Sequence, residues 1–160
     1  MGITEFNMKR ILFLLMTFFI LLNSCEQAED VVDTTPLLSY VDDNFNEDNG
    51  YVDVSEFYFE HNFKELKNVI SVKILVSTES SNFDEIGVFE FENERSAKRS
   101  VKFINEYVDG IVANFKNGVI YDIKEYPKFE NASVIRSSHI VIYTVLDKNK
   151  SEPIIDLAKK

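Results

Sequence analysis

Two histidines, one cysteine and a pair of adjacent carboxylates are the residues of this chain best equipped for chemistry. His139 follows Ser137 and Ser138. A serine beside an imidazole is the beginning of a nucleophile–base pair. Such a pair also needs a sharp turn that exposes the hydroxyl and backbone N–H groups that hold an oxyanion. These serines have no Gly-x-Ser-x-Gly elbow and no framing glycine, so His139 reads as a hairpin-end side chain facing water. His61 lies between Glu60 and Asn62, and the chain has no His-x-x-x-His or Glu-x-x-His cluster. No zinc site follows from it. Asp84 and Glu85 could in principle share acid and base work on a polymer; two acidic neighbours at a strand start are more simply solvated ends. There is no Walker loop and no dinucleotide fingerprint. The sequence therefore assigns no catalytic residue, no metal and no cofactor.

One run carries oxygens at a suggestive spacing. Residues 45–56 are similar to an EF-hand calcium loop: Glu47, Asn49 and Asp53 fall at its third, fifth and ninth positions, Gly50 at the turn, Val52 at the apolar position and Glu56 at the twelfth. The first position requires an oxygen ligand and is Phe45. A partner loop is also missing, and an acidic, Asn-rich turn before a helix would look much the same.

The single cysteine, Cys25, has a more specific setting. Lys9 and Arg10 precede a run of 12 residues, 11–22, interrupted only by Thr17. A membrane span needs about 20 apolar residues, so this run is too short for one and suits the apolar region of an export signal. Leu22-Asn23-Ser24-Cys25 resembles the bacterial lipobox, with Leu three residues before the Cys and a small residue just before it. The expectation is cleavage between Ser24 and Cys25 and a lipid on the Cys25 thiol. A lone cysteine in an exported chain cannot form an internal disulfide, which leaves the thiol for that modification. Met8 opens a more usual signal than Met1 does, which makes Met8 an alternative start to Met1.

Of 160 residues, 17 are basic and 27 acidic. Removing residues 1–24 takes away Glu5, Lys9 and Arg10 and leaves 15 basic and 26 acidic residues, a charge of −11. Phosphate backbones need a basic footprint, so nucleic acid is not an expected partner. Anionic headgroups should repel the domain as a whole, which makes the lipid the anchor. With 14 Phe and 7 Tyr the chain has ample bulk for one core, and its length suits one domain.

The expected organisation is a signal over residues 1–24, a polar tether over 25–36 and one folded domain over 37–160. Residues 37–45 suit a short helix with Thr34 or Thr35 as cap and Pro36 in its first turn. Residues 54–66 are ambiguous between helix and strand. Residues 69–76 suit a strand with Ile70, Val72, Ile74 and Val76 on one face, and residues 85–92 a second strand after a polar loop. Residues 93–115 repeat Ala97, Val101, Ile104, Val108, Ile111 and Phe115 at helical spacing, between an Asn93 cap and an Asn117-Gly118 stop. Residues 132–135 and 139–146 suit a hairpin turning at Ser137-Ser138. Its second strand is apolar on both faces and therefore central. The second face should be covered by residues 37–66. Ser151 is the expected cap of a final helix over 153–159. The sum is an α+β fold: a largely antiparallel sheet of about four strands, one long helix packed across it, and short helices at both ends of the domain.

Several stretches together resemble a family of small Gram-positive bacterial lipoproteins known as a domain of unknown function. They are residues 82–89 opening the second strand, the long charged helix, Tyr126-Pro127 after it, and residues 131–135 and 140–142 in the closing hairpin. The match would cover most of residues 50–160. Ser137-Ser138 departs from it, since the family places Gly in the hairpin turn. The resemblance implies an α+β domain outside the cell and no site residues. The functional expectation is a membrane-anchored, extracytoplasmic binding or assembly module of the cell envelope, not an enzyme. It would meet the membrane through Cys25 and have an envelope protein as a further partner. Its alternatives are an enzyme or enzyme accessory acting on envelope polymer through carboxylates such as Asp84 and Glu85, and a calcium-responsive module through residues 45–56.

Overall fold

The computed structural model describes residues 33–118 and 123–159. The expected signal, the expected cleavage residues Ser24 and Cys25, and most of the expected tether lie outside the described residues. Residues 32–160 form a single unit, and among the described residues no helix is long and apolar enough to cross a membrane.

Five strands make one sheet: β1 (Tyr51–Asp53), β2 (Val69–Ser77), β3 (Glu85–Phe91), β4 (Ser133–Ser137) and β5 (Ile140–Val145). Their order is β1-β2-β3-β5-β4, and every neighbouring pair is antiparallel. The α+β class is as expected, with one strand more than the four anticipated. The added strand is β1. Its three residues are too few to show alternation, and it exists because Tyr51, Val52 and Asp53 pair with Ser77, Val76 and Leu75 at the sheet edge. β2 corrects a second expectation. Val69 pairs with Phe91 and Ser71 with Glu90, so Ile70 is the extra residue of a bulge. A bulge turns the following residues to the other face. Ile70 is consequently 61% exposed, and Val69 joins Val72 on one side of the sheet.

The long helix, α3 (Glu94–Lys116), follows its sequence signals closely. The Asn93 side chain accepts the Ser96 N–H at 2.9 Å, and the chain leaves the helix through Asn117 and Gly118, the latter at φ 76°. Ala97, Ile104 and Val108 are buried on its stripe. Replacing Ile104 by Ala should cost about 2–4 kcal/mol, and Arg99→Ala, at an exposed site, within about 0.5 kcal/mol. Chemical denaturation of both variants measures this, and equal midpoints would place the buried face elsewhere.

β5 has two apolar faces and is buried throughout. Val141 and Tyr143 pack with α3, Phe63, Leu66, Phe89 and Phe91. Ile140, Ile142 and Leu146 pack on the other side, under α1 (Thr35–Asn44) and α5 (Lys148–Ala158). The N-terminal segment is therefore shared. Leu37, Val41 and Phe45 cover the second face, helped by Ile154 and Ala158 of α5, whereas Phe63 returns to the α3 face. The ambiguous stretch is a helix, α2 (Ser55–Tyr58), which runs into a π-helical turn (Phe59–Phe63). Phe57 is 62% exposed and stacks on His61 at 4.2 Å instead of entering the core.

α1 incorporates Thr35 and Pro36 of the segment read as tether; Thr34 stands at its N-cap position without a side-chain cap bond, and Asp33 Oδ1 accepts the Thr35 N–H at 3.0 Å. α5 begins five residues earlier than expected, at Lys148. Ser151 is inside it, with its hydroxyl donating to the Lys148 carbonyl. The closing hairpin turns through Ser138 and His139, since Ser137 pairs with Ile140. Ser138 holds φ 48°, the left-handed conformation that glycine adopts more readily.

Candidate functional site

Asp84 and Glu85 illustrate how strand geometry divides neighbours. Successive side chains point to opposite faces, and the two carboxylates lie on opposite sides of the sheet. Neither is a solvated end, and they cannot work on one substrate as a pair.

Asp84 is 1% exposed. The Asn82 side chain accepts its N–H at 3.0 Å in an Asx turn, which fixes the carboxylate at the start of β3. Tyr51, from β1, donates its hydroxyl to Asp84 Oδ2 at 2.7 Å, and Lys150, from the first turn of α5, donates to the same oxygen at 2.5 Å. Lys128 lies in α4 (Tyr126–Glu130), a short helix after a 3-10 turn (Ile123–Glu125). Its Nζ stands 2.8 Å from Asp84 Oδ1, although not in hydrogen-bonding alignment. Lys128 also donates to Glu125 Oε2 at 2.6 Å and to Asn82 Oδ1 at 2.5 Å. The same Glu125 oxygen accepts the Phe83 N–H at 2.9 Å. Two carboxylates and two ammonium groups thus balance in a network that joins β1, the β2–β3 loop, α4 and α5 and is buried except at Lys150.

Burial by itself would raise the Asp84 carboxyl; the contacts from Lys128, Lys150 and Tyr51 more than offset it and hold it below the usual carboxylate range. Burial would likewise lower Lys150 and Lys128, but their acidic partners keep both ammonium groups above the ordinary lysine value. Burial also pushes the Tyr51 hydroxyl up to about 12. These shifts move Asp84, Lys128, Lys150 and Tyr51 away from neutral pH, so none of the four is poised to exchange a proton there.

Lys150 reaches the surface at a cleft of about 290 Å³, lined also by the buried Tyr51 and by Tyr40, Asn44, Phe45, Asn49 and Asn149. α1 supplies Tyr40 and Asn44, the 3-10 turn Glu47–Asn49 supplies Asn49, and α5 supplies Asn149 and Lys150. Asn44 donates to the Tyr40 carbonyl at 2.8 Å and Asn49 to the Asp43 carbonyl at 3.0 Å. These bonds fix both amides, and among the described residues no donor meets either amide oxygen. Because Asp84 neutralises Lys150, the cleft offers amides, phenols and one compensated ammonium: a polar lining with little net charge.

On the opposite face, Tyr143 and Tyr107 donate to Glu85 Oε1 at 2.6 and 2.8 Å. Burial raises the Glu85 carboxyl, only partly countered by the two hydroxyls. A raised acid stabilises the fold below its unfolded value and loses that contribution as pH rises through the folded value. Glu85→Gln should therefore gain stability relative to wild type as pH rises from 4 to 8. Paired urea titrations at the two pH values measure this, and a pH-independent difference would refute the burial of that charge.

The other candidates do not assemble. His139 Nδ1 is 3.3 Å from Ser138 Oγ and its Nε2 3.5 Å from Glu90 Oε1. The imidazole is partly covered and turned towards Glu90, and not simply facing water. Backbone geometry puts Ser138 in the turn itself, with no helix N-terminus to hold an oxyanion. His61 Nδ1 lies 2.7 Å from the Phe57 carbonyl. In the calcium-like loop, Phe45 is buried beneath Tyr51. Asn49 is tied to α1, and Asp53 Oδ1 accepts the Ser55 N–H at 2.8 Å, at the start of α2. Among the described residues no three His, Cys, Asp or Glu gather to hold a metal ion.

No family model matches the chain, and no curated protein or solved structure is significantly similar to it. Sequence reasoning missed Tyr51, Glu125, Lys128 and Lys150, which are up to 99 positions apart. The one local signal was Asn82 two residues before Asp84.

Proposed function

We infer that this protein is a lipid-anchored, extracytoplasmic binding module of the cell envelope, without catalytic activity, and that the cleft beside Lys150 holds its ligand. The cleft carries the reading. It brings three amides and two phenols from separate elements to one depression, and Asp84 holds Tyr51 and Lys150 of its lining in place. Buried ion pairs add little net stability compared with apolar packing, so a network of this kind is better explained by what it positions. Side-chain amides both donate and accept, as do sugar hydroxyls, and a neutral polar lining suits a hydroxyl-rich segment of envelope polymer. The placement of Asp84 and Glu85 on opposite faces gives the enzyme reading no support, and the dispersal of residues 45–56 gives none to the calcium reading.

The cleft is tested by co-sedimentation of the full chain, in neutral detergent, with purified peptidoglycan. Wild type should sediment with the polymer, and Asn149→Ala should bind at least tenfold more weakly with unchanged melting. Equal sedimentation of wild type and variant would overturn the assignment. The anchor is tested separately by metabolic labelling with an alkyne fatty acid. Wild type should carry label and Cys25→Ala should not; label on both would refute attachment at Cys25.

A further inference from the structure

A second cleft, of about 260 Å³, opens between the loop before β2 and the first half of α3. Glu65, Leu66, Lys67 and Asn68 line one side, and Ser96, Arg99, Ser100 and Phe103 the other. Its charge runs against that of the molecule. In a chain of net charge −10, residues 64–67 and 95–102 hold Lys64, Lys67, Arg95, Lys98, Arg99 and Lys102. Only Lys102 of these six is ion-paired among the described residues, with Glu106 at 3.7 Å. Glu94, at the head of the helix, is instead 3.8 Å from Arg136. Arg95 occupies the first turn of α3, where the helix dipole disfavours a cation. A sequence that breaks a local rule in this way is expected to gain something other than stability.

The polar groups in the cleft are built in. Asn68 holds the left-handed φ of 60° and its carbonyl accepts the Glu92 N–H at 2.9 Å. That conformation turns its amide onto Ser96 Oγ, to which it donates at 2.9 Å. The Ser96 hydroxyl, 8% exposed, accepts this bond and keeps its own proton for another partner. Ser100 donates to the Ser96 carbonyl at 2.9 Å. The lining therefore presents a guanidinium, an ammonium and a hydroxyl proton, beside the apolar sides of Leu66 and Phe103. Glu65 is the one carboxylate in the lining and leaves it at a net +1.

We propose that this cleft binds a phosphate ester group, with Arg99 and Lys67 as its charge partners and the Ser96 hydroxyl as a neutral donor. Phosphate fits better than carboxylate. The fork of Arg99 can take two oxygens, which leaves a third for Lys67 or Ser96, whereas a carboxylate has only two to offer. The apolar edge would meet the carbon chain of an ester. The site lies on different elements from the cleft beside Lys150, and neither assignment depends on the other.

The test uses the full chain in neutral detergent, with amide shifts followed by NMR during titration with inorganic phosphate and, separately, with short-chain phosphatidylglycerol. Shifts should concentrate at Lys67, Asn68, Ser96 and Arg99. Lys67→Ala combined with Arg99→Ala should weaken binding at least tenfold without lowering the melting temperature, since both side chains are exposed. Binding of inorganic phosphate would identify a soluble or polymer-borne phosphate as the source, and binding of the lipid alone a membrane headgroup; either supports the site. Binding of neither ligand, or binding that the double variant leaves unchanged, would overturn it.

Discussion

Asp84→Ala is expected to destabilise the protein by about 3–5 kcal/mol, the cost of breaking a buried ion pair from one side. The loss does not come from the missing carboxylate alone. Lys128 is 4% exposed, and without Asp84 it shares a buried site with only Glu125 and Asn82. Tyr51 also loses the acceptor of its hydroxyl. Lys150 pairs with no carboxylate but Asp84 among the described residues, so Lys150→Met should cost less in the Asp84→Ala background than in wild type. Urea denaturation of the two single variants and the double variant gives the coupling. A single-variant loss below about 1 kcal/mol, or strict additivity, would contradict the network. The pH dependence has a defined sign. The Asp84 carboxyl is held below its ordinary 3.8, so its contribution is complete above that value and is lost as pH falls through the folded-state value. Wild type should lose this stability on acidification below about pH 4, and Asp84→Ala should lack that part of the slope.

Tyr143→Ala should cost about as much, some 3–5 kcal/mol, because it empties the largest fully buried side chain of the sheet. Tyr143 faces Gly87 across the β3–β5 pair, and its ring covers the space where a side chain would be. A Cβ at Gly87 would fall 2.0 Å from the ring, so Gly87→Ala forces the ring to shift and should cost about 1–3 kcal/mol or more. The sign then depends on Tyr143. Where Tyr143 is already Ala the space is open, and Gly87→Ala should be neutral or stabilising, since Gly inside a strand is weaker than Ala. Thermal denaturation of the four proteins in this cycle measures it. An equal cost of Gly87→Ala in both backgrounds would show that the ring does not fill that space.

The elements legible in the sequence were those with a local signature. Asn93, the apolar stripe and Asn117-Gly118 define α3 almost to the residue, and the double-sided run of residues 140–145 marks a central strand. Ile70 was misplaced because a bulge is set by the pairing with β3 and leaves no trace in the alternation of β2. β1 was missed because three residues have no period of their own. The two charged neighbours show the larger gap. Asp84 and Glu85 are consecutive in sequence, yet one belongs with Lys128 and Lys150 and the other with Tyr107 and Tyr143. Only the pairing of distant strands and helices makes that division, and no spacing rule reports it. Asn44, Asn49 and Asn149 are ordinary turn and surface residues in sequence and meet only because α1 and α5 lie side by side on one face of the sheet.

The most direct test of the binding assignment is hydrogen exchange of the full chain, in neutral detergent, with and without soluble phosphate-free peptidoglycan fragments. The cleft reading predicts slower exchange concentrated at residues 44–51 and 149–152, with residues 66–68 and 96–103 unchanged. Exchange unaffected throughout, or slowed only outside the cleft beside Lys150, would contradict it.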